Sequence, residues 1–193
     1  MLSSLNNWLA HNAKVRLILL LLGLFLLFSL VVMPFGQKWL GGNADQVGLI
    51  DLTFAAAPAK LFEKVESYGE QGRHMYSLFA LTADIAYPII YSIFLGLSIT
   101  YLLRKNFSTE SNLQKLNLLP FAAMLFDILE NLCIVTLLAT YPQQIKGLAF
   151  LTIIMNFIKW VFAGASTLLV LIGLVILVLK NRIKSPKGLG NPF

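Results

Sequence analysis

Phe126-Asp127-Ile128-Leu129-Glu130-Asn131 lies inside Pro120–Ala139, PFAAMLFDILENLCIVTLLA. Roughly 20 apolar helical residues are enough to cross a hydrocarbon core of about 30 Å. This run has that length, yet it holds two carboxylates and a carboxamide. They stand at i, i+3 and i+4, which is one face of a helix. Read as a soluble helix, the run is too apolar. Read as a transmembrane helix, it has a polar face that must meet something other than lipid.

The rest of the chain supports the membrane reading. Of 193 residues, 58% are hydrophobic and 12% are charged, against about 25% charged in soluble domains. Four segments are long and apolar enough to span: 15–33, 76–103, 116–140 and 149–179. The last exceeds a straight crossing, so it should tilt or protrude. The expected fold is all-α, a four-helix transmembrane bundle forming one integral-membrane domain over 1–193. The first segment follows Lys14 and Arg16 but is longer than a signal-peptide core. FSLVVMPFGQKWL offers no small-x-small cleavage site, so it reads as a retained anchor. Cys133 is the only cysteine. It excludes an intrachain disulfide and a thiolate cluster, and reads as a packing residue.

Basic residues near the spans set orientation. Lys14, Arg16, Arg104, Lys105, Lys115, Lys180, Arg182, Lys184 and Lys187 fall on one side. Lys38, Lys60, Lys64, Arg73 and Lys146 fall on the other, with the acids Asp45, Asp51, Glu63, Glu66 and Glu70. Both termini are therefore expected in the cytoplasm (N-in, C-in). The net charge of +6 follows from this asymmetry, so no nucleic-acid partner is needed to explain it. Membrane lipids are the expected surroundings, and the basic tail suits anionic headgroups.

Residues 34–75 make a long outer loop. It opens with the turn formers Pro34, Gly36, Gly41, Gly42 and Asn43. Pro58–Gly69 then reads as a short amphipathic helix, with Pro58 in its first turn. Leu61, Val65 and Tyr68 share one face, and Gly69 suits a left-handed cap. Such a helix can lie at the membrane interface or fold over the bundle as a lid. Arg73, His74 and Tyr76 stand at the entry to the second span. His11 and His74 fall on opposite sides, so they cannot share a metal.

Asp84, Asp127, Glu130 and Lys159 are ionisable residues within the spans, each costly there. In the second span Asp84, Tyr87 and Tyr91 form a stripe with Ser77 and Ser98. Pro88 should kink that helix and free a backbone carbonyl near Asp84. In the fourth, Thr152, Asn156, Lys159, Ala163 and Ser166 share a face. At helical rise Asp84 lies about 12 Å below Tyr76, Glu130 about 16 Å below Tyr141, and Lys159 about 15 Å below Ala149. The polar faces should therefore meet at one level. One acid should pair with Lys159 and at least one other should be protonated, because burial disfavours unpaired charge. Tyr87, Tyr91, Asn131 and Asn156 supply hydrogen bonds, and Trp160 can line the wall.

This pattern points to an acid-rich intramembrane pocket for a lipid-like or cationic amphipathic molecule. One alternative is a structural or accessory subunit whose polar residues only hold the bundle together, although such contacts average about 0.6 kcal/mol. Another is a lipid-modifying enzyme using two carboxylates as acid and base. No HExxH or Ser/His/Asp set is present, and no cofactor or metal site is expected. The small run Ala163-Gly164-Ala165-Ser166 permits close packing within the chain or with a second copy, as in a homo-oligomer.

Two resemblances bear on this. GEQGRHMYSLFALTADIAYPIIYS (69–92) and LFDILENL (125–132) resemble a group of bacterial four-helix membrane proteins. That group shares G-x-x-G-R-x-x-Y, D-x-x-Y-P-x-x-Y and F-D-x-x-E-N patterns. The resemblance implies a bacterial inner membrane and a shared site of Gly72, Arg73, Tyr76, Asp84, Tyr87, Pro88, Tyr91, Asp127, Glu130 and Asn131. It implies no activity. Asp84 and Pro88, following a long loop, also resemble the acid-and-proline helix of the EXPERA superfamily of sterol isomerases and sigma-2 receptors. The acids of FDILEN have no counterpart there. What that resemblance implies is an amphiphile-binding cavity lined by acids.

Overall fold

In hydrocarbon a chain can satisfy its backbone only as helix or closed barrel. The long Leu/Ile/Val/Phe runs here form helices. The computed structural model describes residues 2–40, 48–53, 57–109 and 111–184, and the described residues contain no strand. Four helical stretches among them are long and apolar enough to cross a membrane: Val15–Lys38, Gly69–Asn106, Asn112–Ala139 and Lys146–Ile183. Gly41, Gly42, Asn43, Asp45 and Lys187 lie outside the described residues.

Hydropathy marks no element before Val15, yet the chain starts with α1 (Leu2–Asn12). Its Leu9 is fully buried. The first span is α2 (Val15–Leu27), a π-helical turn at Phe28–Val32, and α3 (Met33–Trp39). Here the sequence expectation needs correcting, because Pro34 and Gly36 do not open a loop. Pro34 sits in the first turn of α3, where its missing N–H costs little. Gly36 packs against Phe79, whose Cε2 would stand 2.1 Å from an added Cβ. A glycine that looked like a turn former is a close-approach point between helices.

Segment 48–53 follows, then α4 (Pro58–Ser67) with Leu61 and Val65 buried. Each such side chain contributes about 1.5–3 kcal/mol on full burial. Gly69 has φ +68°, the left-handed conformation that only glycine adopts without strain. It redirects the chain into α5 (Gly69–Leu81). The second span is then interrupted at Thr82, with φ −120° and ψ −87°, and resumes as α6 (Ala83–Asn106). A 3₁₀ turn at Asn112–Leu118 leads to α7 (Leu119–Ala139), and α8 runs over Lys146–Lys184.

α7 and α8 form the main helix pair, and α6 lies against both. The first span packs chiefly on α6. The hydrophobic core is concentrated at the end carrying residues 48–68 (the loop side), around Leu40, Ile50, Leu61, Tyr68, Tyr76 and Ile134. Along the spans the pattern inverts. Leu125, Leu129, Leu132, Phe157 and Val161 are exposed, while Asp84, Asp127, Glu130, Asn131, Asn156 and Lys159 are buried. The opposite end (the tail side) is closed by polar contacts. Lys180 Nζ donates to the Lys105 and Asn106 carbonyls at 3.4 Å, placing a cation at the α6 C-terminus, where the helix dipole favours it. Asn117 Nδ2 donates to Asn6 Oδ1 at 2.7 Å and to Thr100 Oγ1 at 3.0 Å, tying α1 to the bundle.

Candidate functional site

The interruption at Thr82 decides where Asp84 goes. It makes Asp84 a first-turn residue of α6, at a helix N-terminus, where negative charge is favoured. Pro88 lies four residues on and lacks the N–H that would bond the Asp84 carbonyl. Asn131 Nδ2 takes that place, donating to the carbonyl at 2.9 Å. Asp84 lines a cavity of about 350 Å³. The residue is 2% exposed, and its Oδ2 has no hydrogen-bond partner.

The cavity is walled by the first span, segment 48–53, α6, α7 and α8. Asp127 Oδ2 accepts from the Tyr91 hydroxyl at 3.1 Å, and Oδ1 accepts from Lys159 Nζ at 3.4 Å. Lys159 Nζ also stands 2.6 Å from Glu130 Oε2. That approach is off line for a directed hydrogen bond, so the contact is an ion pair. Glu130 Oε1 accepts from Asn156 Nδ2 at 2.8 Å. The same Asn156 nitrogen donates at 2.6 Å to the Asp51 carbonyl. On the opposite wall Ser29 Oγ donates to the Phe25 carbonyl at 2.8 Å. Its one hydrogen is thus engaged, so at 3.0 Å Tyr87 is the donor to Ser29.

Asp51 is the residue that sequence reasoning missed as a site member. It is 4% exposed and lines the cavity. Tyr76 holds it: the Tyr76 hydroxyl accepts from the Ile50 N–H at 2.9 Å and donates to Asp51 Oδ1 at 3.3 Å. Lys64 Nζ staples the same segment, donating to the Gly48 and Leu49 carbonyls at 3.3 and 3.1 Å and to Thr53 Oγ1. Burial pushes the Lys64 pKa down, against the opposing pull of the Asp51 charge. Burial, with a smaller push from Asp51, drives the Tyr68 hydroxyl up. Tyr68 remains a neutral donor to the Gly48 carbonyl at 2.7 Å.

The sequence candidates therefore divide into layers. Asp84, Tyr87, Tyr91, Asp127 and Lys159 line the cavity. Glu130, Asn131, Asn156 and Tyr76 lie behind its wall and hold the lining in place. Arg73 is elsewhere, its guanidinium 3.9 Å from the Tyr141 ring centroid and bonded to the Val65 carbonyl at 3.4 Å. Trp160 lines the wall, its ring 5.5 Å from Lys159 Nζ. The small run 163–166 brings no neighbour against Gly164, where an added Cβ would meet nothing within 4 Å.

The charge balance is uneven. Three aspartates line the cavity against one lysine, and that lysine is engaged by Asp127 and Glu130. Among the described residues no cation reaches ion-pair distance of Asp84 or Asp51. No group of three His, Cys, Asp or Glu side chains there is placed to hold a metal ion. The arrangement is an acid-rich wall in an otherwise largely apolar chamber. Comparison with protein-family models, curated proteins and solved structures finds no match for this chain.

Proposed function

We propose that this chain is a multi-pass protein of a bacterial inner membrane, with both termini cytoplasmic and the loop side outermost. Its polar cavity binds a lipid-like amphipathic molecule bearing a cationic or hydrogen-bond-donating head. The observation that carries this reading is Asp84, which lines the cavity and whose carboxyl is buried without a hydrogen-bond partner at Oδ2. Leaving such an acceptor unmet costs about 1–3 kcal/mol. A donor from a ligand removes that cost.

The Glu130–Lys159–Asn156 cluster supports a second role beside the first. Its contacts join α7, α8 and segment 48–53 and lie behind the wall. These residues hold the bundle, while Asp84 and Asp51 face the ligand.

Native mass spectrometry of the protein with co-purified lipid tests the proposal. A defined adduct on the wild type, lost in Asp84→Asn and kept in Leu129→Ala on the outer face, is the expected result. No adduct on either protein, with Asp84→Asn melting at or above the wild-type temperature, would reduce Asp84 to a structural residue.

A further inference from the structure

We infer that the cavity is filled sideways from the bilayer, between the first and fourth spans, by a single-chain primary amine. Its ammonium donates to Asp84, and its chain points toward the tail side. The inference rests on the binding function proposed above and specifies both ligand and route.

The route follows from packing. The first span rests on α6, and α8 rests on α6 and α7, but the first span and α8 are not a principal packed pair. Both contribute wall to the cavity: Phe25, Ser29 and Met33 from one, Trp160, Ala163 and Thr167 from the other. Trp160 is 40% exposed, and Thr167 is exposed as well. The cavity wall thus continues out onto the lipid-facing side of α8. Toward the loop side the way is obstructed. Leu49, Asp51 and Leu52 line that end, held there by Tyr76, Asn156 and Lys64.

The polarity of the cavity follows from helix direction. From Asp84 to Leu95 on α6 the wall descends about 16 Å, and from Lys159 to Thr167 on α8 about 12 Å. Asp51 and Asp84 are at the upper end, and Asp127 is lower, beside Tyr91. Phe25, Leu95 and Ala163 are at the lower end. Thr167 Oγ1 is spent on the Ala163 carbonyl at 2.9 Å, leaving that end effectively apolar. A head-up, tail-down amphiphile matches this gradient.

The ligand class follows from the unmet acceptor and from size. An ionised Asp84 carboxylate at the cavity wall needs N–H or O–H donors. A cationic head supplies the counter-charge that lets a buried acid ionise. A quaternary ammonium supplies the charge but no donor. At about 350 Å³ the cavity is near the lower end of small-molecule sites, which suits one chain and not the two of a phospholipid.

The test uses the full chain in phosphatidylcholine nanodiscs, with thermal stabilisation and native mass spectrometry as readouts. Dodecylamine should bind, and dodecyltrimethylammonium should bind about tenfold or more weakly. Asp84→Asn should abolish that preference. Ala163→Phe, which fills the tail end without touching an acid, should abolish dodecylamine binding while the protein stays folded. Propylamine, with the same head and no chain, should fail to compete at hundredfold excess. If propylamine competes equally, or Ala163→Phe has no effect, the lateral route and chain site are overturned while the acid pocket stands. Equal binding of the quaternary amine overturns the donor requirement. No binding of either amine, with Asp84→Asn as stable as the wild type, overturns this inference and the binding function together.

Discussion

Asn131 reaches across from α7 to cap the Asp84 carbonyl at 2.9 Å, the carbonyl that Pro88 leaves without a helical donor. The pair explains why a proline is tolerated inside α6 beside a buried carboxyl: the freed acceptor has a dedicated partner on the next helix. Asn131→Leu should lower unfolding stability by about 1–3 kcal/mol, the cost of an unmet buried acceptor. Pro88→Ala restores an N–H at that position, so in its background the Asn131→Leu loss should shrink. A double-mutant cycle by thermal unfolding in detergent checks this. Strict additivity would mean that the asparagine serves some other contact.

Among the described residues Lys159 is the one cation lining the cavity, and it faces two acids. Lys159→Met should destabilise by about 3–5 kcal/mol, because it strands Asp127 and Glu130. Glu130→Gln, which keeps an acceptor for Asn156, should cost less. The Lys159→Met/Glu130→Gln pair should be more stable than Lys159→Met alone. Wild-type melting of Lys159→Met would show that the acids are neutral without it.

Gly36 and Phe79 meet more closely than any larger residue allows. Gly36→Ala should cost about 1–3 kcal/mol through overpacking, and Phe79→Leu should return part of it. Unaltered melting of Gly36→Ala would show that the first span can lift off α5 freely.

Tyr76→Phe removes the acceptor of the Ile50 N–H and the donor to Asp51 together. Amide exchange should speed up across 48–53, by roughly tenfold or more if about 1.4 kcal/mol of local stability is lost. Exchange in α7 should stay at its wild-type rate. Equal acceleration in both regions would instead mark Tyr76 as a global core residue.

Much of this architecture was legible in the chain. Long apolar runs gave the spans, because hydrocarbon leaves so few backbone solutions. The three- and four-residue spacings of Asp84, Tyr87, Tyr91 and of Asp127, Glu130, Asn131 marked inward faces. Which of these residues reach the cavity was not legible. Glu130 and Asp127 share a face in sequence, yet only Asp127 lines the cavity, a matter of which neighbour each meets. Asp51 carried no periodic signal, and its placement depends on Asn156, 105 residues later. Thr82 has no sequence mark of a helix breaker. Pro34 and Gly36 misled because the same residues that open turns also open helices and permit close packing.

Among the described residues the cavity's one basic side chain belongs to α8, which follows the other three spans in the chain. Asp84 and Asp127 are synthesised before Lys159, so the second and third spans emerge ahead of the lysine that pairs with Asp127. The amide that fixes the Asp51 carbonyl arrives with the same helix. Without α8, Asp127 and Glu130 lack their lysine and segment 48–53 lacks its Asn156 tether. A chain stopped after Ala139 should therefore be cleared quickly, and co-expression of 140–193 as a separate piece should lengthen its lifetime. Equal lifetimes with and without that piece would mean that the first three spans need no help from the fourth.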